Sequence, residues 1–242
     1  MTILFVSDLH LHSSRPAVTD CFLRFLADTA NQADALYILG DLFEYWIGDD
    51  APGTTGAQVS AALRALVDRG VPCSFMHGNR DFLIARRFAT QSGINLLPDE
   101  TVVDLYGTRA LLMHGDTLCT DDHAYQRYRR IVHWPPTQTL YLALPVSTRK
   151  RIEAQLRNKS MEAHGNKPAM LMDVNQQAVA TVMERHGVSL LIHGHTHRPA
   201  IHRFEIAQHE AATRIVLGDW YEQGSVLRWT PSGPELQSVS LH

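Results

Sequence analysis

Five short motifs in this sequence place potential metal ligands directly after apolar, strand-like runs. As candidate ligands they supply two carboxylates, one amide and four imidazoles, in the order Asp8-Leu9-His10, Gly40-Asp41, Gly78-Asn79-Arg80-Asp81, His114-Gly115-Asp116 and Gly194-His195-Thr196-His197. Oxygen and imidazole donors in this number match what two neighbouring divalent ions need from a protein. Because none of the motifs contains cysteine, they are not typical of a structural zinc site. They predict metal-assisted hydrolysis of a phosphoester.

The spacing within the motifs suits this chemistry. Asp8 and His10 are two residues apart at a strand end, and His195 and His197 share that spacing. A carboxylate such as that of Asp41 can bridge two cations, and an amide oxygen suits hard ions such as Mn²⁺ or Mg²⁺. A single motif of this kind is more often an ordinary turn than a ligand pair, so the prediction depends on all five occurring in order.

The elements that must position these residues alternate between strand and helix, which predicts an α/β fold. Strands are predicted at Ile3–Ser7, Leu36–Leu39, Ser74–His77, Ala110–His114, Leu190–His193, Ile201–Phe204, Arg214–Leu217 and Ser225–Trp229. Helices are predicted at Pro16–Ala33, Ala57–Arg69, Phe82–Gln91 and Pro168–Arg185. Each motif then follows the carboxyl end of a strand, the edge at which open α/β sheets bind ligands.

The segment from His123 to Lys167 interrupts this alternation. It has helical character and contains nine Lys/Arg residues against two acidic ones, in a chain whose formal net charge is -3. We predict an inserted helical cap at 123–167 between two parts of a core, 1–122 and 168–242. Its basic surface would suit an anionic partner, although solvated helices with exposed arginines would give the same charge pattern.

Composition predicts a soluble globular protein. The chain has 242 residues, 45% of them hydrophobic and 19% charged, which fits one large domain with an insertion. Its three cysteines, Cys21, Cys73 and Cys119, are far apart and form no CxxC motif, so we expect reduced thiols. The first ten residues lack the basic region of a secretory signal, and no segment approaches the roughly 20 apolar residues of a membrane-spanning helix. We expect a cytoplasmic protein.

The motif order D-x-H, G-D, G-N-x-D, H-G-D and G-H-x-H resembles that of the calcineurin-like metallophosphoesterases over most of the chain. The resemblance implies a four-layer α/β sandwich, in which two mixed β-sheets are flanked by helices, with a two-metal site. One ion would be held by Asp8, His10, Asp41 and His197, and the other by Asp41, Asn79, His114 and His195.

Arg80 departs from the family pattern, which usually has histidine after the asparagine. Histidine can donate a proton to an alkoxide leaving group, whereas arginine stays charged near neutral pH. Arginine can instead bind phosphate oxygens in a bidentate manner. Because a phosphate leaving group needs no proton, we interpret Arg80 as favouring pyrophosphate-type bonds over simple monoesters.

Three longer segments, 40–50, 114–122 and 172–176, resemble the UDP-2,3-diacylglucosamine hydrolase family, and the likeness runs nearly end to end. It implies an enzyme of lipid A biosynthesis with two Mn²⁺ per chain. Water would attack the α-phosphorus of UDP-2,3-diacylglucosamine, giving UMP and 2,3-diacylglucosamine 1-phosphate. The implied catalytic residues are Asp41, Asn79, Arg80 and His195, and the implied substrate contacts are Asn79, Arg80, Asp122, Ser160, His164, Lys167 and His195. The family more typically has asparagine at the position of His164.

The cap has a composition that suits this substrate. Between Tyr125 and Leu144 it interleaves aromatic and aliphatic residues with arginines, which would serve acyl chains beside a diphosphate. The same apolar residues could instead only pack the cap helices together. We expect a monomer that binds the anionic surface of the inner membrane peripherally, on its cytoplasmic face, and binds no nucleic acid.

Two other functions remain open from the sequence. One is a generic nucleotide or nucleic-acid phosphodiesterase of the same family, although the cap lacks a clear aromatic platform for single strands. The other is a non-catalytic interaction module, which should have lost metal ligands, whereas this chain has all seven.

Overall fold

Two β-sheets packed face to face form the centre of the protein. The computed structural model describes residues 1–166, 173–207 and 209–240. Its strands are β1 Ile3–Val6, β2 Ala35–Leu39, β3 Cys73–Met76, β4 Asn95–Leu97, β5 Thr101–Leu105, β6 Thr108–Met113, β7 Leu190–His193, β8 Ala200–Ile206, β9 His209–Val216, β10 Gly224–Thr230 and β11 Gly233–Val239. Its α-helices are α1 Pro16–Arg24, α2 Gly53–Asp68, α3 Arg86–Ser92, α4 His123–Val132, α5 Pro135–Leu142, α6 Val146–Asn166 and α7 Gln176–His186.

Both sheets are mixed, with parallel strands in the middle. The first has the order β11-β10-β1-β2-β3-β4, and the second has the order β5-β6-β7-β9-β8. Strands β1 to β4 pair in parallel, while β10 and β11 are antiparallel additions at one edge. In the second sheet β6, β7 and β9 are parallel, with antiparallel β5 and β8 at its two edges.

Successive side chains along each strand point to opposite faces of the sheet, so the core forms separate layers. In β1, Ile3 and Phe5 face the second sheet, whereas Leu4 and Val6 pack against the helices α1 to α3. A third apolar cluster lies between the second sheet and α7. Burying one such side chain is worth about 1.5–3 kcal/mol, so the two-residue period fixes which face of each strand meets which layer. The predicted four-layer sandwich is confirmed.

Several predicted boundaries were wrong. The last core helix was predicted from Pro168, which lies outside the described residues; the described residues 173–175 are not helical, and α7 begins at Gln176, where the Asn175 side chain caps it by accepting the Ala178 N–H at 3.1 Å. Its predicted end before Gly187, which adopts a left-handed conformation, is confirmed. The first predicted helix leaves α geometry after Arg24 and continues as a π-helical turn and a 3₁₀ turn. The helix predicted from Phe82 begins at Arg86, and the short edge strands β4, β5 and β11 were not predicted.

Helices α4 to α6, which lie between β6 and α7 in the chain, contact the core through several side chains, among them three arginines, of which Arg157 lies 3.3 Å from His12 Nε2. Arg129 of α4 donates from Nε to Asp116 Oδ2 at 2.6 Å. Arg149 of α6 is buried and donates to the Ile47 carbonyl and, at 2.8 Å, to Asp50 Oδ1. In the described part of the chain, no helix has both the length and the apolar character needed to cross a membrane.

Candidate metal centre

The predicted ligands follow five parallel strands that belong to both sheets. Asp8 and His10 follow β1, Asp41 follows β2 and Asn79 follows β3, all in the first sheet. The remaining ligands follow β6 and β7 in the second sheet: His114, His195 and His197. Because the loops beyond these carboxyl ends approach one another, all seven side chains are brought together.

One group of donors gathers around the end of β1. Asp8 Oδ1 lies 3.3 Å from His197 Nε2, which in turn lies 3.3 Å from His10 Nε2. His10 Nε2 is also 3.8 Å from Asp41 Oδ2. The ligand atoms of Asp8, His10 and His197 lie within 4.8 Å of one another, close enough to share one ion.

A second group lies on the other side of Asp41. Asn79 Oδ1 is 3.0 Å from both His114 Nε2 and His195 Nδ1. Asp41 Oδ1 is 3.7 Å from His114 Nε2. One carboxylate oxygen of Asp41 therefore faces each group, which is the arrangement of a bridging ligand. Asp8 lies between the groups as well, since it also falls within 4.8 Å of the Asp41 and His114 ligand atoms.

The Nδ1 atoms of two predicted ligand histidines point away from the site and form hydrogen bonds there. These bonds show that the two donor groups suit cations. His197 Nδ1 lies 3.0 Å from Asp219 Oδ2, and His114 Nδ1 lies 2.8 Å from the Leu39 carbonyl. Each ring must therefore donate outwards from Nδ1, which leaves its Nε2 lone pair directed into the site. There the lone pairs meet other acceptors, including Asp8 Oδ1, which is buried and accepts no hydrogen bond from the described residues. Acceptor atoms this close together repel one another unless a proton or a cation lies between them.

The pKa values of the imidazoles reflect the same crowding. Burial lowers the pKa of His114, but the carboxylates of Asp41 and Asp8 outweigh this effect and raise it to about 9. For His197, Asp8 and Asp219 likewise overcome burial and raise the pKa to about 10. Burial and the neighbouring His114 lower the pKa of His195 to about 3. Without an ion, His114 and His197 therefore hold the protons that a bound cation would displace.

The backbone is strained at most of the predicted ligands. Six non-glycine residues in the described part of the chain have positive φ, and five of them are predicted ligands: Asp8, His10, Asp41, His195 and His197. Such conformations cost of the order of 1–3 kcal/mol each and cluster at functional sites. Gly194 provides the space that this geometry needs, because a Cβ there would lie 2.3 Å from both Asp8 Oδ2 and Ser7 Oγ.

Three acidic residues support the site but were given no role from the sequence. Glu44 Oε2 lies 3.1 Å from His10 Nδ1, and Asp219 holds His197 from the opposite side. Asp81 is fully buried and accepts the backbone N–H groups of Leu42 at 2.7 Å and Gly78 at 2.9 Å, which ties two ligand loops together. The sequence contains a pattern that could have indicated Asp219, because Leu217-Gly218-Asp219 repeats the strand-end pattern Leu39-Gly40-Asp41.

The predicted substrate contacts are only partly described. Asn79, Arg80 and His195 line the candidate metal centre. Asp122 caps α4, where its Oδ1 accepts the Tyr125 N–H at 3.0 Å. Lys167 lies outside the described residues, as do the side chains of Ser160 and His164. Tyr125 brings α4 next to the centre, since its ring centroid lies 6.1 Å from that of His195.

Comparisons with known proteins agree with this geometry. The family model of the calcineurin-like phosphoesterases matches residues 1–199. The chain belongs to this family. It is 57% identical over 236 residues to UDP-2,3-diacylglucosamine hydrolase of Escherichia coli O81 (strain ED1a), with 98% of each chain covered, and equally similar to that of Escherichia coli O17:K52:H18 (strain UMN026 / ExPEC). A solved archaeal phosphodiesterase has a TM-score of 0.50 and 11% identity, covers 99% of this chain and 100% of its own, and shows the fold alone.

Arg80, the residue after Asn79, lies inside this candidate metal centre. Its backbone N–H donates to Asp41 Oδ1 at 2.9 Å, and its guanidinium donates to the Tyr45 hydroxyl. The side chain is largely buried, with Glu44 Oε1 3.8 Å from Nη1. Burial lowers the pKa of Arg80, but Asp41, Tyr45 and Glu44 outweigh it, so the pKa rises and the charge persists. A permanent cation therefore lies beside the Asp41 carboxylate.

Proposed function

We propose that this protein hydrolyses the diphosphate of UDP-2,3-diacylglucosamine, giving UMP and 2,3-diacylglucosamine 1-phosphate in lipid A biosynthesis. The observation that carries the proposal is the position of Asp41, with one carboxylate oxygen toward each of two donor groups. The substrate follows from the 57% identity to hydrolases that bear this name. Because all seven predicted metal ligands are present, a non-catalytic interaction module is disfavoured.

Two Mn²⁺ ions fit the donor set. Asp8, His10, Asp41 and His197 would hold one, and Asp41, Asn79, His114 and His195 the other. The mixture of carboxylate, amide and imidazole donors, without thiolate, suits Mn²⁺. A pair of such ions supplies Lewis-acid polarisation of the phosphoryl oxygens and activation of the attacking water.

The chain's own residues orient the diphosphate and stabilise its charge. Arg80 would bind phosphoryl oxygens through its charged guanidinium while Tyr45 and Glu44 hold the side chain in place. It cannot transfer a proton to a leaving group near neutral pH, and a departing lipid 1-phosphate needs none. His195, uncharged because of its low pKa, would stabilise the reacting phosphoryl group beside Asn79. Water attack at the α-phosphorus then leaves the new oxygen on UMP.

The inserted helices support a substrate with acyl chains. Six of the nine exposed large apolar side chains in the described part of the chain lie there: Tyr128, Ile131, Trp134, Leu140, Leu142 and Leu144. Trp134 and Leu140 are 60% and 72% exposed, which is unusual for large apolar side chains in a helical hairpin. We propose that residues 123–167 form a cap over a core of 1–122 and 168–242. The cap would hold the acyl chains and bring a monomer to the anionic, cytoplasmic face of the inner membrane.

The test is Mn²⁺-dependent release of UMP from UDP-2,3-diacylglucosamine. We expect Asp41→Ala to abolish turnover while leaving the protein folded, and Asp104→Ala, on the surface of the second sheet, to keep wild-type turnover. Dinucleoside polyphosphates and an alkyl phosphomonoester serve as competing substrates. Equal or faster hydrolysis of those compounds would contradict the proposed specificity, and Mn²⁺-dependent activity retained by Asp41→Ala would contradict the bridging role.

A further inference from the structure

A pocket with both polar and apolar lining adjoins the candidate metal centre between the ends of β7, β9 and β11. Its volume is about 540 Å³, and its lining includes His197, Asp219, Tyr221, Glu222 and Gln237. His197 and Asp219 belong to the metal centre, so the pocket shares a wall with it. Helices α4 to α6 and the turns between them contact the core on the loops that follow β1, β2, β3 and β6, and none of these loops lines the pocket. The metal centre therefore has the inserted helices on one side and this pocket on another.

The lining selects a neutral, hydrogen-bonding ligand. Among the described residues that line the pocket are two carboxylates, Asp219 and Glu222, but no lysine or arginine. This charge disfavours a further phosphate group, and an acyl chain would cover the carboxylate and amide groups without hydrogen-bonding them. Two glutamines, Gln223 and Gln237, each offer both a donor and an acceptor. A pyrimidine base presents alternating acceptors and a donor, and a ribose presents hydroxyl donors that carboxylates accept.

One wall of the pocket is held rigid. Arg15 Nη2 donates to the backbone carbonyls of Trp220 and Tyr221, at 3.1 Å each. The Arg15 guanidinium also lies 4.3 Å from the centroid of the Tyr221 ring. Tyr221 remains 44% exposed in spite of these contacts. A fixed wall of this kind lowers the entropy lost when a ligand binds.

We propose that this pocket binds the nucleoside half of the sugar nucleotide, with Glu222 accepting from the ribose hydroxyls and Gln237 hydrogen-bonding the base. The inference rests on the proposed function, which supplies a substrate with a lipid half and a nucleoside half. The diphosphate then spans the metal centre, with the lipid half on the side of the inserted helices. This division explains why the basic and apolar residues lie on one side of the centre and the acidic and amide residues on another.

The test measures binding of UMP and of inorganic phosphate to the Mn²⁺-loaded protein by calorimetry. Phosphate reaches only the metal centre, whereas UMP also fills the pocket. We expect Glu222→Gln and Gln237→Ala each to raise the Kd of UMP about tenfold, which is about 1.4 kcal/mol, and to leave the Kd of phosphate unchanged. Glu235→Gln and Gln177→Ala are the matched controls, because both residues are exposed and lie outside the pocket lining.

Two outcomes overturn the inference: wild-type UMP affinity in both variants, or equal weakening of UMP and phosphate. Neither depends on turnover, so the proposed function is judged separately, by UMP release from the lipid substrate. A protein that releases UMP but binds it independently of Glu222 and Gln237 would keep its function and lose this site.

Discussion

Gly78→Ala tests whether the position of Asp41 determines activity. A Cβ at Gly78 would lie 2.1 Å from Asp41 Oδ1 and 2.3 Å from the Asp41 backbone nitrogen. Asp41 is buried, and its Oδ1 already accepts the Arg80 N–H, so it has no open space to enter. Relief of the clash requires a shift of about 1 Å, and a misplacement of that size costs about 100-fold in rate. Overpacking also destabilises the fold by about 1–3 kcal/mol.

The assay is UMP release as a function of Mn²⁺ concentration, together with thermal unfolding. We expect kcat/KM to fall about 100-fold and the Mn²⁺ concentration for half-maximal activity to rise. Gly187→Ala is the control, because Gly187 has φ 59° but faces open space, so alanine there costs about 1 kcal/mol of stability without disturbing the centre. Wild-type turnover and Mn²⁺ dependence in Gly78→Ala would refute the reasoning.

Three further predictions concern residues around the centre. Asp219→Asn should weaken Mn²⁺ binding about 10–100-fold, because it removes the charge that orients a ligand imidazole; an unchanged Mn²⁺ titration would contradict this. Arg129→Met should lower the free energy of unfolding by about 2 kcal/mol, because Asp116 loses a charge-assisted hydrogen bond, and urea denaturation measures it. His133 stacks on Phe82, and burial with the nearby charge of Arg129 lowers its pKa to about 4. Its folded pKa is depressed, so stability should fall as pH drops from about 6.5 toward 4, and His133→Phe should reduce that loss between pH 7 and pH 5; an equal loss in both proteins would contradict this.

Much of the fold was predictable because its central strands are short apolar runs that end in glycine, aspartate or histidine. Leu190–His193 is fully buried and Leu36–Leu39 is buried except for the half-buried Tyr37, which gives a continuous hydrophobic signal. Strand β11 was missed because it lies at a sheet edge, where the sequence Gly233–Val239 alternates weakly and contains proline. The start of α7 was misplaced because Pro168 and Asn175 both resemble helix starts, and only the structure shows Asn175 capping the helix.

The candidate site, like the fold, was predictable from the sequence only in part. Its seven predicted ligands are brought together as the order of motifs indicated, although their role as ligands stays a prediction. The supporting contacts of Glu44 and Asp219 depend on loops from different strands that meet only in the folded chain. The positive φ values of the predicted ligands could not be read from the sequence either, since aspartate and histidine adopt that conformation more often than most residues but still seldom.

The most direct test of the proposed function is hydrolysis of UDP-2,3-diacylglucosamine in ¹⁸O-water with Mn²⁺, followed by mass spectrometry of both products. Water attack at the α-phosphorus beside Asp41 and Arg80 predicts one ¹⁸O atom in UMP and none in 2,3-diacylglucosamine 1-phosphate. Label in the lipid phosphate, or no release of UMP, would contradict the account.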